Sequence, residues 1–164
     1  NKIKEDYDYI LIDCRPALGL LTINALSTAD SVIIPVQAQY LPLKDMTQLL
    51  QTIDKIRVQI NPKLKVEGIL LTMVDMKTNL AKVSIESLKN NYGRRIKIYD
   101  MIIPMGVKAA ESTIEGKSVY AYDKKSKPAI AYEELTKEVL KDSERNKVRL
   151  AENSRNNKNS WNIK

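Results

Sequence analysis

Short apolar runs rich in β-branched residues recur along the chain, and this pattern predicts buried strands. The first of these runs ends in an acidic residue, Asp13, and a glycine, Gly68, lies within the third. The predicted strands are Tyr7–Asp13, Ser31–Val36, Val66–Val74 and Ile96–Tyr99, the last of which leads to Ile102–Pro104.

Other segments carry apolar residues at three- and four-residue spacings, which predicts helices. The clearest begins with Pro42 in its first turn and ends before Asn61 and Pro62. A second helix is predicted over Leu80–Tyr92, with Thr78 as its cap and Gly93 as its stop. Further predicted elements are a crossover helix over Leu18–Leu26, a short helix around Val107–Ile114, a polar loop over Tyr122–Pro128 and a last helix from about Ala129 to Lys141.

Strands that alternate with helices, without short hairpin signals between them, predict an α/β fold. We expect a mostly parallel sheet with helices on both faces, and ligands beyond the carboxyl ends of its strands. The organised part spans residues 1–141. Residues 142–164 form a basic polar tail, which we expect to be disordered or a frayed helix.

Composition narrows the possible functions. With 164 residues and 43% hydrophobic content, the chain can build one core. No apolar run approaches the roughly 18 residues that a membrane span needs, and the first residues lack a signal core. Cys14 has no intramolecular partner and there is no histidine, which argues against zinc sites and histidine-dependent triads.

The net charge of +7 invites a nucleic-acid interpretation, but the charge is unevenly distributed. Residues 141–164 carry +4 of it, so the longer body of the chain carries only +3. Net charge alone therefore gives little support for a nucleic-acid surface on the folded part.

Asp13 is the first candidate for chemistry, because an acid at the carboxyl end of a strand can hold the water shell of a magnesium ion beside phosphates. Strands that end in Asp are common, and the acid could equally cap a loop. The residues after it decide between these readings. The run Asp13–Leu26, DCRPALGLLTINAL, closely resembles the segment around the Walker B aspartate of ParA/Soj-type ATPases, typically DxPPSLGLLTxNAL.

The resemblance continues in order over about residues 7–141. Matching segments are Ala29–Gln37, Asn61–Leu64, Gly68–Met73, Thr78–Leu80, Tyr122–Asp123 and Ser126–Lys127. It implies the C-terminal portion of a P-loop NTPase fold of the ParA type. It also implies that Asp13 holds magnesium through water, and that the loop with Pro104, Met105 and Val107 lies against an adenine ring. A simple strand-to-helix turn is the alternative for that loop.

The departures from the family pattern concern the switch loop and the basic residues. Arg15 and Ala17 stand where the family has proline and serine, and Met105 replaces an arginine. Lys77 takes the place of another arginine, and Lys108 keeps a basic residue at a third position. In relatives these basic positions contact DNA non-specifically, and a lysine can still neutralise a phosphate. The resemblance thus implies DNA binding by Lys77 and Lys108, and the alternative is an ordinary solvated surface.

The phosphate-binding loop of the family, GKGGxGK[ST], occurs nowhere in these residues. The chain also begins with Asn rather than Met, and we expect it to be a fragment. We therefore expect no catalytic residue within it and no ATP hydrolysis by it alone. ATP and magnesium are expected only together with the missing loop.

The leading interpretation is part of an ATP-switched partitioning protein that acts in the cytoplasm on the nucleoid. The resemblance implies a homodimer, non-specific DNA and a ParB-like partner, without a membrane. One alternative is a non-catalytic relic or regulatory subunit that does not bind nucleotide. A second is a MinD-type membrane-associated ATPase, which the sequence favours less because the tail has few apolar residues and no clear helical face.

Overall fold

The computed structural model describes residues 5–15, 19–38 and 43–160. Ala17, Pro42 and residues 161–164, which entered the sequence predictions, lie outside these ranges. The elements follow in the order α1 (Leu20–Thr28), β1 (Ser31–Gln37), α2 (Leu43–Gln59), β2 (Lys65–Thr72), α3 (Asn79–Tyr92), α4 (Val107–Ile114), α5 (Val119–Tyr122) and α6 (Lys127–Ser160).

The strand pairing agrees with the predicted fold class. β1 and β2 are hydrogen-bonded neighbours in one sheet. Isolated parallel bridges join Ile69 to Ile98 and Val74 to Pro104, so further segments align beside β2 in the same direction. An α/β fold with parallel pairing is thereby confirmed.

The chain divides into two compact units, and the first comprises residues 1–34 and 41–68. Its core includes Leu26 of α1, Ile53 of α2 and Leu64 before β2, all of them buried. The side-chain amide of Asn61 donates to the carbonyls of Leu26 (3.0 Å) and Ala29 (2.8 Å). Asn61 thus satisfies backbone acceptors at the end of α1, which the helix itself leaves without partners.

The second unit comprises residues 35–40 and 69–164. Its core includes Leu71, Leu88 and Tyr99, each at most 2% exposed. Lys97 forms ion pairs with Glu138 (2.6 Å) and Asp142 and thereby ties α6 to the segment before Tyr99. Burial opposes the charge of Lys97, but its hydrogen bonds to these two carboxylates outweigh that effect and raise its pKa.

Helix α3 has the ends that its sequence predicts. The Thr78 hydroxyl accepts a hydrogen bond from the backbone N–H of Ala81 (3.2 Å), which caps the first turn. Gly93 follows the last residue, Tyr92. On the inner face Ala81 and Leu88 are buried.

The predicted strand Tyr7–Asp13 is wrong, because the described residues 5–15 form no strand. Its apolar side chains are exposed, and Leu11 is 91% exposed. A buried strand needs hydrogen-bonding neighbours for its N–H and C=O groups. Within the described ranges the two-stranded sheet contains only β1 and β2, and this segment joins neither of them.

The predicted strand Ile96–Tyr99 is reduced to the bridge beside Ile69. The N–H of Tyr99 donates to the Ile69 carbonyl (2.9 Å). The next carbonyl of β2 on this side, that of Leu71, accepts from the N–H of Ile103 (2.9 Å). A regular parallel ladder would use residue 101 there, so the intervening residues leave the ladder. The carboxylate of Glu138 on α6 accepts from the freed N–H groups of residues 100 and 101, each at 3.4 Å.

A second irregularity lies at the end of β2. The N–H of Val74 donates to the Ile103 carbonyl (3.1 Å), where a regular ladder would use residue 73. The extra residue, Met73, has a φ of 52°, in the left-handed region that non-glycine residues seldom adopt. Met73 therefore forms a β-bulge at this edge.

The last helix is longer than predicted. It begins at Lys127 rather than about Ala129, and it continues to Ser160 rather than ending near Lys141. No proline or glycine follows Pro128 in this range, and glutamate, lysine, arginine, leucine and alanine are frequent. These residues favour a continuous helix more than the polar character of the tail suggests.

Candidate functional site

Asp13 lies in the first unit, on the irregular segment that precedes α1. It lines an open cleft of about 470 Å³ together with Arg15 and, from α1, the side chains of Thr22 and Asn24. The cleft is bounded by polar and apolar groups and is open to solvent. A predicted site residue thus lies in a concave part of the surface with oxygen-bearing neighbours.

The donor set at this cleft fits magnesium only in part. In the ranges that the structure describes, no three His, Cys, Asp or Glu side chains are grouped closely enough to hold a metal ion. Magnesium in nucleotide sites keeps several waters and is bound through one or two carboxylates and the phosphates. Asp13 alone could therefore hold the ion's water shell, with phosphates supplying the remaining ligands.

The other predicted site residues all lie in the second unit, where two loops run side by side. One loop follows β2 and the other precedes α4. The N–H of Met105 donates to the Val74 carbonyl (3.1 Å), and Val74 forms the parallel bridge to Pro104. The predicted adenine loop and the Lys77 loop therefore lie at the same edge, as parallel strands require.

The Lys77 loop is fixed by its own hydrogen bonds. The Asp75 carboxylate accepts from the N–H of Lys77 (3.1 Å), and the Thr78 hydroxyl donates to the Asp75 carbonyl (2.9 Å). Lys77 itself is exposed. A side chain on a tight turn at a helix start is well placed to meet a ligand from solvent.

Lys108, in the first turn of α4, is held by two neighbours. Its Nζ lies 2.9 Å from Oε2 of Glu111, one turn further along the helix. The hydroxyl of Tyr122 donates to the same oxygen (3.0 Å), and the Lys108 ammonium lies 5.6 Å from the centre of the Tyr122 ring. One carboxylate oxygen thus accepts from both a lysine and a tyrosine.

These contacts shift the pKa of each group. The hydrogen bond to Glu111 raises the pKa of Lys108, and the bonds from Lys108 and Tyr122 lower the pKa of Glu111. The pKa of Tyr122 is raised, because its hydroxyl donates to the Glu111 carboxylate. All three shifts favour the ion pair with a protonated phenol.

A second open cleft, of about 330 Å³, lies between the start of α4 and the start of α6. Met105, Val107 and Lys108 line one side, and Lys125 and Lys127 are among the residues on the other. Gly106 approaches α6 closely at its base: a Cβ atom added there would lie 2.6 Å from Cγ of Pro128. Only glycine fits this position without a displacement.

Sequence reasoning missed three parts of this site. The i, i+3 spacing of Lys108 and Glu111 was a visible signal for their ion pair. The participation of Tyr122 and the contact between Gly106 and Pro128 join residues far apart in the chain, and nothing in the local pattern indicates either of them.

Comparison with known proteins begins with a family model described as an AAA domain, which matches residues 1–66. Among solved structures, the chain is similar to cobyrinic acid a,c-diamide synthase from Mycobacterium smegmatis with bound ADP and magnesium. The TM-score is 0.71 at 31% identity, over 87% of this chain and 50% of that one. The same α/β architecture therefore occurs in a protein that binds a nucleotide with magnesium.

Curated relatives identify the family more closely. The chain is 47% identical to the sporulation initiation inhibitor protein Soj of Bacillus subtilis over 127 residues, which is 77% of this chain and 49% of that protein. It is 46% identical to the chromosome partitioning protein ParA of Myxococcus xanthus over 122 residues, 74% of this chain and 42% of that one. The chain thus spans about half the length of the curated relatives it matches. At this level of identity it belongs to the ParA/Soj family of partitioning ATPases.

Proposed function

We propose that this chain supplies the DNA-contacting edge of a ParA-type partitioning protein. The observation that carries the proposal is the backbone pairing between the Lys77 loop and the loop before α4, through the Met105–Val74 hydrogen bond of 3.1 Å. It supports a common edge for Lys77 and Lys108. Lysines at such an edge neutralise backbone phosphates irrespective of sequence, which suits a protein that moves or segregates DNA.

The proposal includes ATP with magnesium, bound jointly with a phosphate-binding loop that these residues do not contain. Asp13 would hold the water shell of the ion, while Pro104, Met105 and Val107 would flank the base. Bound ATP would supply the switch between states. We propose a homodimer on the nucleoid, with a ParB-like protein as the partner that promotes release.

The test is DNA binding by the 164-residue chain as a function of salt. A short duplex of arbitrary sequence is titrated between 50 and 200 mM salt, with Lys77→Ala, Lys108→Ala and the double variant in parallel. Each lost phosphate contact should reduce the slope of log affinity against log salt by about 0.9. Between 50 and 200 mM salt, each lost contact should therefore make the fall in affinity about three- to fourfold smaller than that of the parent chain.

The matched control is Lys89→Ala, the same change of charge at an exposed position of α3. Lys89 lies ten residues after the first residue of α3, about 15 Å along the helix from the edge. The proposal requires a larger loss for Lys77 and Lys108 than for Lys89. Equal small losses at all three positions would mean that only net charge matters, and the proposed edge would be wrong.

The two alternatives give different results in the same preparation. A non-catalytic relic shows the same DNA binding, but ATP with magnesium changes nothing after an N-terminal half from a relative is added. A MinD-type protein instead binds anionic vesicles. No helix in the described part of the chain has the length and apolar character to cross a bilayer. That finding leaves surface binding to vesicles as the measurement that decides.

A further inference from the structure

Lys108 is not a free cation at the proposed DNA edge, because the chain already provides it with an anion. Its ammonium lies 2.9 Å from Oε2 of Glu111, and the Tyr122 hydroxyl holds that oxygen at 3.0 Å. A carboxylate oxygen presents the same kind of acceptor to a lysine as a phosphate oxygen does. Glu111 therefore takes one of the three N–H donors of Lys108 and competes with a DNA phosphate for its charge.

The surroundings make this contact exchangeable. The side chains of Lys108 and Glu111 are 49% and 38% exposed, and ion pairs at such exposure are weak and screened by salt. Lys108 also lies in the first turn of α4, which contains no acidic residue and whose free N–H groups favour anions. An incoming phosphate can thus compete for the lysine at little cost.

Tyr122 keeps the Glu111 carboxylate hydrogen-bonded after Lys108 has left it. Its hydroxyl donates to Glu111 independently of Lys108, and its ring lies beside the lysine, 5.6 Å from Nζ to the ring centre. When Lys108 turns to a phosphate, Glu111 keeps the hydrogen bond from Tyr122. The exchange requires no proton transfer and no unpaired buried charge.

We infer that Glu111 is an internal competitor of DNA at Lys108, held in place by Tyr122, and that it limits the non-specific DNA affinity of this edge. The inference rests on the proposed function. It assigns to Glu111 a regulatory role at the same surface, through a side chain that itself contacts no DNA.

The experiment compares Glu111→Gln with Glu115→Gln, a matched control at the end of the same helix. Glu115 pairs with Lys117 (3.4 Å) and not with Lys108, so both variants remove one negative charge but only one frees the lysine. Glu111→Gln should raise duplex affinity about three- to tenfold at 100 mM salt and steepen the salt slope, and this gain together with the loss for Lys108→Ala in the parent should amount to about 0.9. Glu115→Gln should change the slope by much less.

The Lys108→Ala background provides the second arm. There Glu111→Gln should behave like Glu115→Gln, because no lysine remains to be released. Equal gains from the two glutamine variants, or an undiminished gain without Lys108, would overturn the inference in favour of a general charge effect.

The outcomes also separate this inference from the proposed function. Binding that depends on Lys77 and Lys108 but does not respond to Glu111→Gln refutes the inference alone. No salt-dependent binding by either the parent chain or Glu111→Gln refutes both. Binding that appears only in Glu111→Gln supports the inference, since the competitor then masks the edge.

Discussion

Replacing Gly106 with alanine tests how closely the loop before α4 packs on α6. The added Cβ would lie 2.6 Å from Cγ and 3.1 Å from Cδ of Pro128, whereas ordinary contacts begin at 3.4 Å. Pro128 is buried and lies in the first turn of α6, and its ring cannot rotate away as a flexible side chain would. The loop and the helix must therefore separate by about 1 Å to relieve the contact.

The size of the effect follows from two opposing contributions. Overpacking of this kind costs about 1–3 kcal/mol. Alanine also restricts the unfolded chain relative to glycine, which returns about 0.4–1 kcal/mol. The backbone adds no strain, because the φ of Gly106 is −158°, which is extended backbone that any residue adopts. We expect a net loss of about 1–2 kcal/mol in the free energy of unfolding.

The assay is urea unfolding of the 164-residue chain, read by circular dichroism, for Gly106→Ala in the parent and in a Pro128→Ala background. Removing the ring should abolish most of the loss, because Cγ and Cδ are the atoms that the new methyl group meets. A loss below about 0.5 kcal/mol would refute the contact. A loss of the same size in both backgrounds would show that the methyl group clashes elsewhere.

Two further predictions concern single hydrogen bonds. Thr78→Ala should lower the free energy of unfolding by about 1 kcal/mol, because the N–H of Ala81 loses its hydrogen-bond acceptor. Thr78→Ser keeps a hydroxyl and should restore the stability of the parent, which thermal unfolding of the three proteins measures. In Glu111→Gln the pKa of Tyr122 should fall towards that of ordinary tyrosine. The raised pKa means that this hydrogen bond stabilises the fold below the unfolded pKa of tyrosine and is lost as pH rises through the folded value. Absorbance titration of tyrosinate should show one tyrosine of Glu111→Gln ionising at lower pH than in the parent chain, and its absence in Tyr122→Phe would assign it to Tyr122. An unchanged titration would contradict the hydrogen bond between Tyr122 and Glu111.

Much of the fold was predictable because its signals are local. The spacing of apolar residues located α2 and α3, and the cap at Thr78 and the stop at Gly93 fixed both ends of α3. The run Ser31–Val36 gave β1 to within one residue. Periodicity and caps act within one or two turns of chain, so the sequence contains them in full.

The errors occurred where structure depends on distant partners. The apolar run ending at Asp13 has strand propensity, but a strand also needs pairing with a neighbour, and among the described residues the run pairs with neither β1 nor β2. The run around Tyr99 has a neighbour, yet its ladder is interrupted where Glu138, from the distant helix α6, takes over two backbone N–H groups. Neither outcome is contained in the residues of the run itself.

The candidate site likewise has a part that the sequence predicts and a part that depends on distant residues. The sequence predicted a parallel sheet, and the carboxyl ends of parallel strands coincide, as the loops after β2 and before α4 do in the structure. It could not show that Tyr122 also holds the Glu111 carboxylate, because Tyr122 lies on another helix. The DNA and nucleotide roles of these residues remain predictions.

The bulge at Met73 also has an evolutionary consequence. Because one surplus residue separates β2 from Val74, the facing of every later side chain in this loop depends on an odd insertion in the ladder. Met73 allows Val74, which is 2% exposed, to keep its hydrogen bond to Ile103, and the residues after Val74 are fixed in spacing by the hydrogen bonds of Asp75 to Lys77 and Thr78. We therefore expect single-residue indels between Val74 and Thr78 to be rejected more strongly than substitutions of Met76, which is 51% exposed.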